Sequence, residues 1–275
     1  MLGLIAETPI HYGAETGGGA IDLPVAREAA THYPVIAGSA FKGALKDWFG
    51  EGSVYTGSEA NAGQLIFSDI RLLLLPVRSL AGSYAWVTCP LLLERLQRDA
   101  QRAGKPAAAA FTIPAVASGQ YHSANPESPP QLQLEERQFD KAAPANPQQL
   151  TGLVAALQSL IAHPNAKARI PMQLVVLSDA DFAWFAEFAL PVNAHNVLDE
   201  NKTSTNLWYE ETLAPDTVMY GLILPRPTLK PEDQREAMKA ARKELTGRPH
   251  LQIGAGETTG LGWFSHNCTA QQQGA

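Results

Sequence analysis

The beginning of the chain constrains the fold most, because an apolar segment, a long polar connection and a helical segment follow one another there. Residues 3–8 are predicted to form a strand, and a helix is predicted to begin at Ser39. The connection of about thirty residues is much longer than the few residues that usually join two elements. Long ordered loops often carry functional residues, so chemically active side chains are expected in this one.

The predicted first helix has features of an anion-binding surface. Ser39 is predicted to be its N-cap, and Lys42 and Lys46 lie four residues apart, which places them on one face of a helix. Backbone N–H groups at a helix N-terminus, with lysines beside them, can hold a phosphate.

The loop before this helix contains two candidates for catalysis and a Gly17-Gly18-Gly19 run. Asp22 lies between two apolar residues and before a proline, and from spacing alone a turn or capping role is the simpler interpretation. His11 can act as an acid, a base or a phosphate donor, or it can make a structural hydrogen bond.

Composition indicates a globular protein of the cytoplasm. The chain has 275 residues, 45% of them hydrophobic and 17% charged. No apolar run is long enough to cross a bilayer, and the N-terminus lacks a basic region, so no membrane association is expected. The two cysteines, Cys89 and Cys268, lack metal-ligand spacing and are expected to be reduced.

The net charge of −6 argues against a nucleic-acid-binding protein, because phosphate contacts need lysine and arginine. A local basic stripe can nevertheless bind RNA on an acidic protein. Arg27, Lys42 and Lys46 are the candidates for such a stripe.

The remaining sequence predicts mixed α and β structure. Strands at 64–77 and 83–89 and a helix from Pro90 to Gly104 complete a βα…ββα order, which fits a ferredoxin-like unit with helices on one face of an antiparallel sheet. Residues 104–150 are rich in Ala, Pro, Gln and Ser and predict a loop-rich insertion with one strand at 132–139. The further predictions are helices at 150–162, 178–187 and 231–245, strands at 172–177, 217–224, 250–253 and 261–266, and a protruding hairpin at 191–207.

A glycine-rich segment separates the last two predicted strands and contains Gly254, Gly256, Gly260 and Gly262. Its spacing is G-x-G-x-x-x-G with no helix after it, so the dinucleotide-binding motif G-x-G-x-x-G is not matched. Glycines there either form a turn or allow close approach of a ligand to the backbone.

Three segments resemble one known family. TPIHYG (8–13), GAIDLPVARE (19–28) and YPVIAGSAFKGALK (33–46) look like the N-terminal signature of RAMP proteins, most similar to the repeated backbone subunit of the type III-B CRISPR effector, the Cmr complex. LQIGAGETTGLGWF (251–264) resembles the family's C-terminal glycine-rich loop, and NLWYEETLAPDTVMYG (206–221) is also similar. Residues 104–150 resemble nothing recognisable.

This resemblance implies an α+β fold in one RAMP domain over residues 1–275. A ferredoxin-like (RRM-like) palm is expected at 1–103 and 151–265, a lid-like insertion at 104–150 and a thumb hairpin at about 192–207. By the same resemblance, the glycine-rich loop lies against the first helix beside Ser39 and Lys42 and forms part of a guide-RNA surface. Asn196, Lys202 and Thr203 are implied as thumb contacts to RNA. Trp208 and Tyr209 can stack on bases, but their position beside a strand favours packing in the core.

The resemblance also implies an activity. Asp22 matches the acid that the family needs to cleave target RNA in antiviral defence, and it would either hold Mg²⁺ or another divalent metal, or deprotonate the attacking 2′-OH. His11 is the second catalytic candidate. The implied partners are guide CRISPR RNA, target RNA, further copies of the chain in a filament and the other Cmr subunits.

Two alternatives remain open at this stage. The first is a RAMP scaffold that binds guide RNA without cleaving, against which the presence of Asp22 argues. The second is a nucleotide-dependent enzyme acting on a small molecule through the glycine-rich loop.

Overall fold

The computed structural model describes residues 1–13, 19–50, 53–58, 61–142 and 150–268. They form the predicted α+β fold. The helices are α1 (Gly38–Phe49), α2 (Pro90–Arg102), α3 (Thr151–Leu160), α4 (Pro164–Gln173), α5 (Asp179–Phe188) and α6 (Pro231–Gly247). The strands are β1 (Leu2–Ala6), β2 (Val35–Ile36), β3 (Leu65–Phe67), β4 (Ile70–Arg78), β5 (Tyr84–Thr88), β6 (Gln120–Ser123), β7 (Gln131–Leu134), β8 (Arg137–Lys141), β9 (Leu174–Leu177), β10 (Val192–Leu198), β11 (Ser204–Glu211), β12 (Val218–Gly221), β13 (Ile223–Pro225), β14 (His250–Gln252) and β15 (Trp263–Cys268).

One mixed sheet organises the described chain. Its strand order is β14-β15-β1-β12-β4-β5-β9-β6-β8-β7, and β2 pairs with β4. β1 lies between β15 and β12 and is antiparallel to both. All five residues of β1 are buried, so the apolar segment that opens the sequence is an interior strand of the sheet.

Helices cover both faces of this sheet. Side chains alternate between the two faces along β1, and Leu2 and Leu4 pack in one buried cluster with Phe41 of α1. Ile5 packs in a second cluster with Leu157 of α3. The ferredoxin-like prediction had helices on one face only, and the helices of the second face come from the middle of the chain.

The single strand predicted at residues 64–77 is two strands, β3 and β4, separated by two polar residues, Ser68 and Asp69. Asp69 Oδ1 accepts a 2.8 Å hydrogen bond from Gly38 N at the start of α1. The prediction of Ser39 as the N-cap is wrong, because Ala37 occupies that position and makes no side-chain cap. The acceptor comes instead from a residue about thirty positions later in the chain.

Residues 104–150 extend the main sheet as far as they are described, since 143–149 lie outside the described residues. β6 pairs with β9 and with β8. The one strand predicted at 132–139 is a hairpin of β7 and β8, which turns where Glu135 has a φ of 49°. The buried carboxylate of Asp181 accepts hydrogen bonds from Gly119 N (2.9 Å) and from Arg137 (3.3 Å), which fastens the segment to α5.

Most of the later predictions are confirmed with small shifts in their bounds. Ser178 caps α5 by accepting a hydrogen bond from Asp181 N, and the strand predicted at 217–224 divides into β12 and β13. Helix α4 escaped prediction because Pro164 and Pro171 both count against a helix, yet Pro164 occupies its first turn, where proline is tolerated. Among the described helices, none combines the length and the apolar character that crossing a bilayer requires.

Candidate functional site

The N-terminal loop, described at residues 7–13 and 19–34, is fastened to the root of the hairpin formed by β10 and β11. Ile10 and Leu213 exchange two backbone hydrogen bonds of 3.0 and 2.8 Å. Leu23 N donates to Tyr209 O at 3.0 Å, and Glu211 N donates to Leu23 O at 2.9 Å. Both limbs of the loop, and therefore both predicted catalytic residues, lie beside the same end of the hairpin.

Asp22 is exposed at this junction. Its Oδ2 accepts a 2.8 Å hydrogen bond from Tyr209 N, whereas no hydrogen bond to Oδ1 is found within the described part of the chain. This hydrogen bond joins Asp22 to an amide within β11, far along the chain, so it is neither a helix cap nor a local turn. One oxygen fixes the carboxylate in place, and no hydrogen bond within the described residues occupies the other. Gly17 and Gly18 of the nearby glycine run lie outside the described residues.

His11 is buried and has structural contacts. It is 5% exposed, and its Nδ1 lies 2.8 Å from Glu211 O, to which it donates. Its carbonyl accepts a 2.8 Å hydrogen bond from Ala255 N of the glycine-rich loop. Of the two roles that the sequence left open, this geometry favours the structural hydrogen bond.

Arg27 faces inward, although the sequence placed it in an RNA-binding stripe. Its guanidinium donates to Glu211 Oε1 (2.8 Å), His32 O (2.8 Å) and Ala186 O (2.7 Å). Its side chain is 14% exposed. Because these internal acceptors occupy the guanidinium, the structure does not support a direct contact of Arg27 with RNA.

The described residues offer little to hold a metal ion without help from a ligand. No group of three or more His, Cys, Asp or Glu side chains suited to a metal occurs among them. Mg²⁺ is commonly held by one or two carboxylates, substrate phosphates and waters. Asp22 fits that pattern only as a single ligand, with the remaining oxygens supplied by RNA and water.

An open groove runs between α1 and the glycine-rich loop. Its lining consists of small and backbone-rich positions: Tyr12, Gly13, Ala40, Gly43, Ala44, Gln252, Ile253, Gly254 and Ala255. Ser39, Lys42 and Lys46 are exposed on the same helix. The small residues along this groove leave room for a phosphodiester chain, whereas Lys42 and Lys46 are not among its lining residues and lie on another face of α1.

The glycine-rich loop is a turn between β14 and β15. Gly254, Gly256, Gly260 and Gly262 all have φ between 75° and 105°, and a Cβ on Gly254 would overlap the carbonyl oxygen of His11. A strand follows the loop, so the helix that a dinucleotide-binding motif needs is missing from this place. The loop therefore supports close packing against the N-terminal loop rather than a Rossmann site.

The hairpin projects from the protein and exposes apolar side chains. Val197, Leu198 and Leu207 are 48%, 51% and 55% exposed. At the tip, Lys202 has a φ of 62°, and Asp199 Oδ1 accepts a 2.8 Å hydrogen bond from Thr203 N. The tip is thus ordered by its own hydrogen bonds, while its apolar side chains have no cover.

Three polar residues predicted to contact RNA lie on this hairpin. Asn196, Lys202 and Thr203 are all exposed, and Asn196 pairs across the strands with Leu207. Their positions are compatible with contact to a ligand that lies along the hairpin.

The prediction of core packing for Trp208 and Tyr209 is wrong. The hairpin continues to Glu211, so both residues lie on β11, and Tyr209 is 42% exposed. Trp208 stacks on His195 across the hairpin, with ring centroids 5.4 Å apart and an interplanar angle of 15°. Tyr209, whose backbone N–H donates to Asp22, thus also carries an exposed aromatic ring.

Sequence reasoning missed Glu211, which is 3% exposed and contacts the N-terminal loop. The signal in the sequence was a pair of adjacent acids, Glu210 and Glu211, at the end of an exposed strand. Alternation along a strand directs one of two neighbours inward, and a buried carboxylate needs partners.

Comparison with known proteins gives consistent matches. The RAMP superfamily matches residues 4–265. The chain is 30% identical over 286 residues, 96% of this chain and 93% of the relative, to the CRISPR system Cmr endoribonuclease Cmr4 of Pyrococcus furiosus. A solved structure of oligomeric Cmr4 from Pyrococcus furiosus matches with a TM-score of 0.73 at 27% identity, covering 97% of this chain and 95% of that one. A chain of the type III-B Cmr-beta complex bound to cognate target RNA shares the fold, with a TM-score of 0.74 at 19% identity and coverages of 97% and 95%.

Proposed function

Because this chain belongs to the RAMP superfamily and, within it, to the Cmr4 family, we propose that it is a backbone subunit of a type III-B CRISPR effector that cleaves target RNA. The observation that carries the proposal is the exposed carboxylate of Asp22, held by Tyr209 N at the root of a projecting hairpin. This places one acid next to the element that would deform a bound duplex.

The groove between α1 and the glycine-rich loop is the proposed surface for guide RNA. Lys42, Lys46 and the side chain of Ser39 are exposed on α1 and are proposed to contact the RNA backbone beside this groove. The first N–H of α1, that of Gly38, is already bonded to Asp69 and is not part of this surface. Contacts of these kinds recognise the sugar–phosphate backbone and not the base sequence. A subunit that must accept many guide sequences needs this type of binding.

The hairpin is the proposed thumb. Insertion of apolar side chains between base steps unstacks and kinks a nucleic acid, and the exposed Val197, Leu198 and Leu207 have the required character. Asn196, Lys202 and Thr203 are proposed to contact the RNA beside this wedge. A kink matters because the 2′-oxygen, the phosphorus and the leaving 5′-oxygen must come into line for cleavage.

In the proposed reaction the 2′-OH of the target attacks the adjacent phosphorus. A 2′-O–P bond forms and the P–O5′ bond breaks, giving a 2′,3′-cyclic phosphate and a 5′-OH. The 2′ proton leaves to a base and the departing 5′-oxygen takes up a proton. Asp22 acts either as that base or as the protein ligand of a Mg²⁺ ion, which would supply charge stabilisation at the phosphate.

Several partners follow from this proposal. They are a guide CRISPR RNA, the paired target RNA, the other Cmr subunits and further copies of the chain stacked as a filament along the guide. The solved oligomeric Cmr4 supports self-association. We place the complex in the cytoplasm, where the two free thiols, Cys89 and Cys268, would remain reduced.

The deciding experiment is cleavage of end-labelled target RNA by the reconstituted complex with Mg²⁺. We expect regularly spaced cuts, lost in Asp22→Ala and in the isosteric Asp22→Asn, with target binding retained in both. Asp233→Asn on α6, which lies in that helix's first turn, is the matched control and should cleave normally. Omission of the metal, with a chelator present, tests the Mg²⁺ proposal separately.

Two outcomes would redirect the proposal. A wild-type complex that binds target but never cuts it would favour the scaffold function. Cutting that survives loss of Asp22 would move the site elsewhere, and His11 would be the next residue to substitute.

A further inference from the structure

Glu211 joins four points of the N-terminal loop to the end of β11. Its carboxylate accepts hydrogen bonds from Val25 N (3.0 Å) and from the Arg27 guanidinium (2.8 Å). Its carbonyl accepts one from His11 Nδ1 (2.8 Å), and its own N–H donates to Leu23 O (2.9 Å). Two of these bonds use the side chain, so they depend on the residue being a glutamate.

Arg27 extends the connection to a third element. The same guanidinium that meets Glu211 donates to His32 O and to Ala186 O, the latter in α5. A side-chain oxygen of Glu187 in α5 lies 3.6 Å from it. The Arg27–Glu211 pair therefore holds the segment from Leu23 to His32 between the hairpin and α5, and we call this pair the clamp.

Stability alone does not explain why a buried ion pair holds this loop. Its two side chains are 14% and 4% exposed, and a buried ion pair is often no more stabilising than apolar residues of similar volume. The carboxylate instead fixes the geometry of the loop, because its two oxygens accept hydrogen bonds from the backbone of Val25 and from the side chain of Arg27. Asp22 precedes the clamped residues by one position.

We propose that Glu211 is a positioning residue for RNA cleavage: through the clamp it fixes Leu23 and Val25 beside β11, and thereby fixes Asp22 at Tyr209 N. The inference rests on the proposed function, since it requires Asp22 to be the carboxylate that acts on RNA. Glu211 itself touches neither the RNA nor the reacting atoms.

The test compares Glu211→Gln, Arg27→Gln and the double variant in the reconstituted complex. Glutamine keeps one acceptor oxygen but presents an NH₂ group to the other donor, so the clamp is weakened without a change in volume. We expect the cleavage rate at saturating target to fall about 10- to 100-fold, the order expected for a misplaced catalytic group, with target affinity unchanged. The double variant should be no slower than either single variant, because the two residues act as one unit.

Amide hydrogen exchange supplies a readout that does not depend on cleavage. Val25 N–H donates directly to Glu211 Oε2, so its exchange should become faster in Glu211→Gln. Asp99→Asn is the matched control: Asp99 is 5% exposed and paired with Arg71 and Arg102 at 2.8 and 2.7 Å, and its loss should lower the melting temperature while leaving cleavage intact.

Arg27→Lys covers the case in which Glu211→Gln fails to assemble. Lysine keeps the charge that faces Glu211, but it cannot reach three acceptors in the planar arrangement of a guanidinium. We expect an assembled complex with slower cleavage and faster Val25 exchange.

Several results would overturn the proposal. They are normal cleavage in assembled clamp variants, unchanged exchange at Val25, loss of target binding in parallel with cleavage, or an equal loss of cleavage in Asp99→Asn. Failure of the proposed function looks different, because the wild type would not cut or Asp22→Ala would still cut, whatever the clamp variants do.

Discussion

Gly254 offers the sharpest test of the contact between the glycine-rich loop and the N-terminal loop. Its φ is 105°, which an alanine adopts at a cost of about 1–3 kcal/mol. A Cβ there would overlap the carbonyl oxygen of His11 and lie 3.2 Å from its carbon. Because this neighbour is backbone, relief requires movement of the loop, and such overpacking costs about 1–3 kcal/mol more.

The assay is urea and thermal unfolding of Gly254→Ala beside Gly260→Ala. Gly260 also has a positive φ, 83°, but nothing lies within 4 Å of where its Cβ would be, so this control carries only the conformational cost. The difference between the two variants should therefore be about 1–3 kcal/mol. For a chain of this size that corresponds to a melting temperature lower by about 2–12 °C in Gly254→Ala.

Equal melting temperatures for the two variants would refute this reasoning. They would mean that the two loops do not touch as described, and the groove proposed for guide RNA would lose one of its walls. A further expectation is that Gly254→Ala weakens guide-RNA binding more than Gly260→Ala does at a temperature where both variants are folded.

Two further predictions concern charge. Replacing Lys42 and Lys46 by alanine should reduce the slope of log K against log salt for single-stranded RNA by about 0.7 for each phosphate that a lysine no longer neutralises, measured by titration at several salt concentrations. Alanine at the exposed pair Lys239 and Lys243 on α6 should leave this slope unchanged. Equal slopes in both double variants would exclude α1 as the RNA surface. Burial lowers the pKa of His266 below its ordinary 6.5, so the unfolded chain binds the proton more readily than the folded chain. The stability that the neutral ring contributes is therefore present above about pH 6.5 and is lost as the pH falls below that value. Urea unfolding across this range should show a smaller loss of stability on acidification in His266→Gln, and an identical pH profile would contradict the assignment.

The elements that the sequence predicted well are those with a local signal. β5, α2, α5 and α6 are found where apolar periodicity, prolines and capping residues placed them. Ser178 is an example, because its side chain caps the helix that begins at the next residue. Signals of this kind involve residues within one helical turn of each other, so they can be recognised without knowing the fold.

The predictions that failed depended on partners far along the chain. Ser39 had the residue type of an N-cap, but Asp69, between β3 and β4, supplies the acceptor to α1. Trp208 and Tyr209 were expected in the core because of their position beside a strand, yet β11 continues beyond them in a hairpin that projects from the protein. Neither result can be derived from spacing, since each depends on which strands meet.

The candidate site shows the same division. The sequence by itself determined that a long loop with Asp22 and His11 precedes a helix with exposed lysines, and that a glycine-rich turn closes the chain. Only the tertiary structure decided that Asp22 lies open at the hairpin root while His11 is buried, and that Arg27 faces Glu211 instead of solvent. The physical reason is that the burial and the hydrogen-bond partners of these polar side chains are set by segments about 180 to 200 residues away in the chain. Local sequence patterns contain no information about such distant partners.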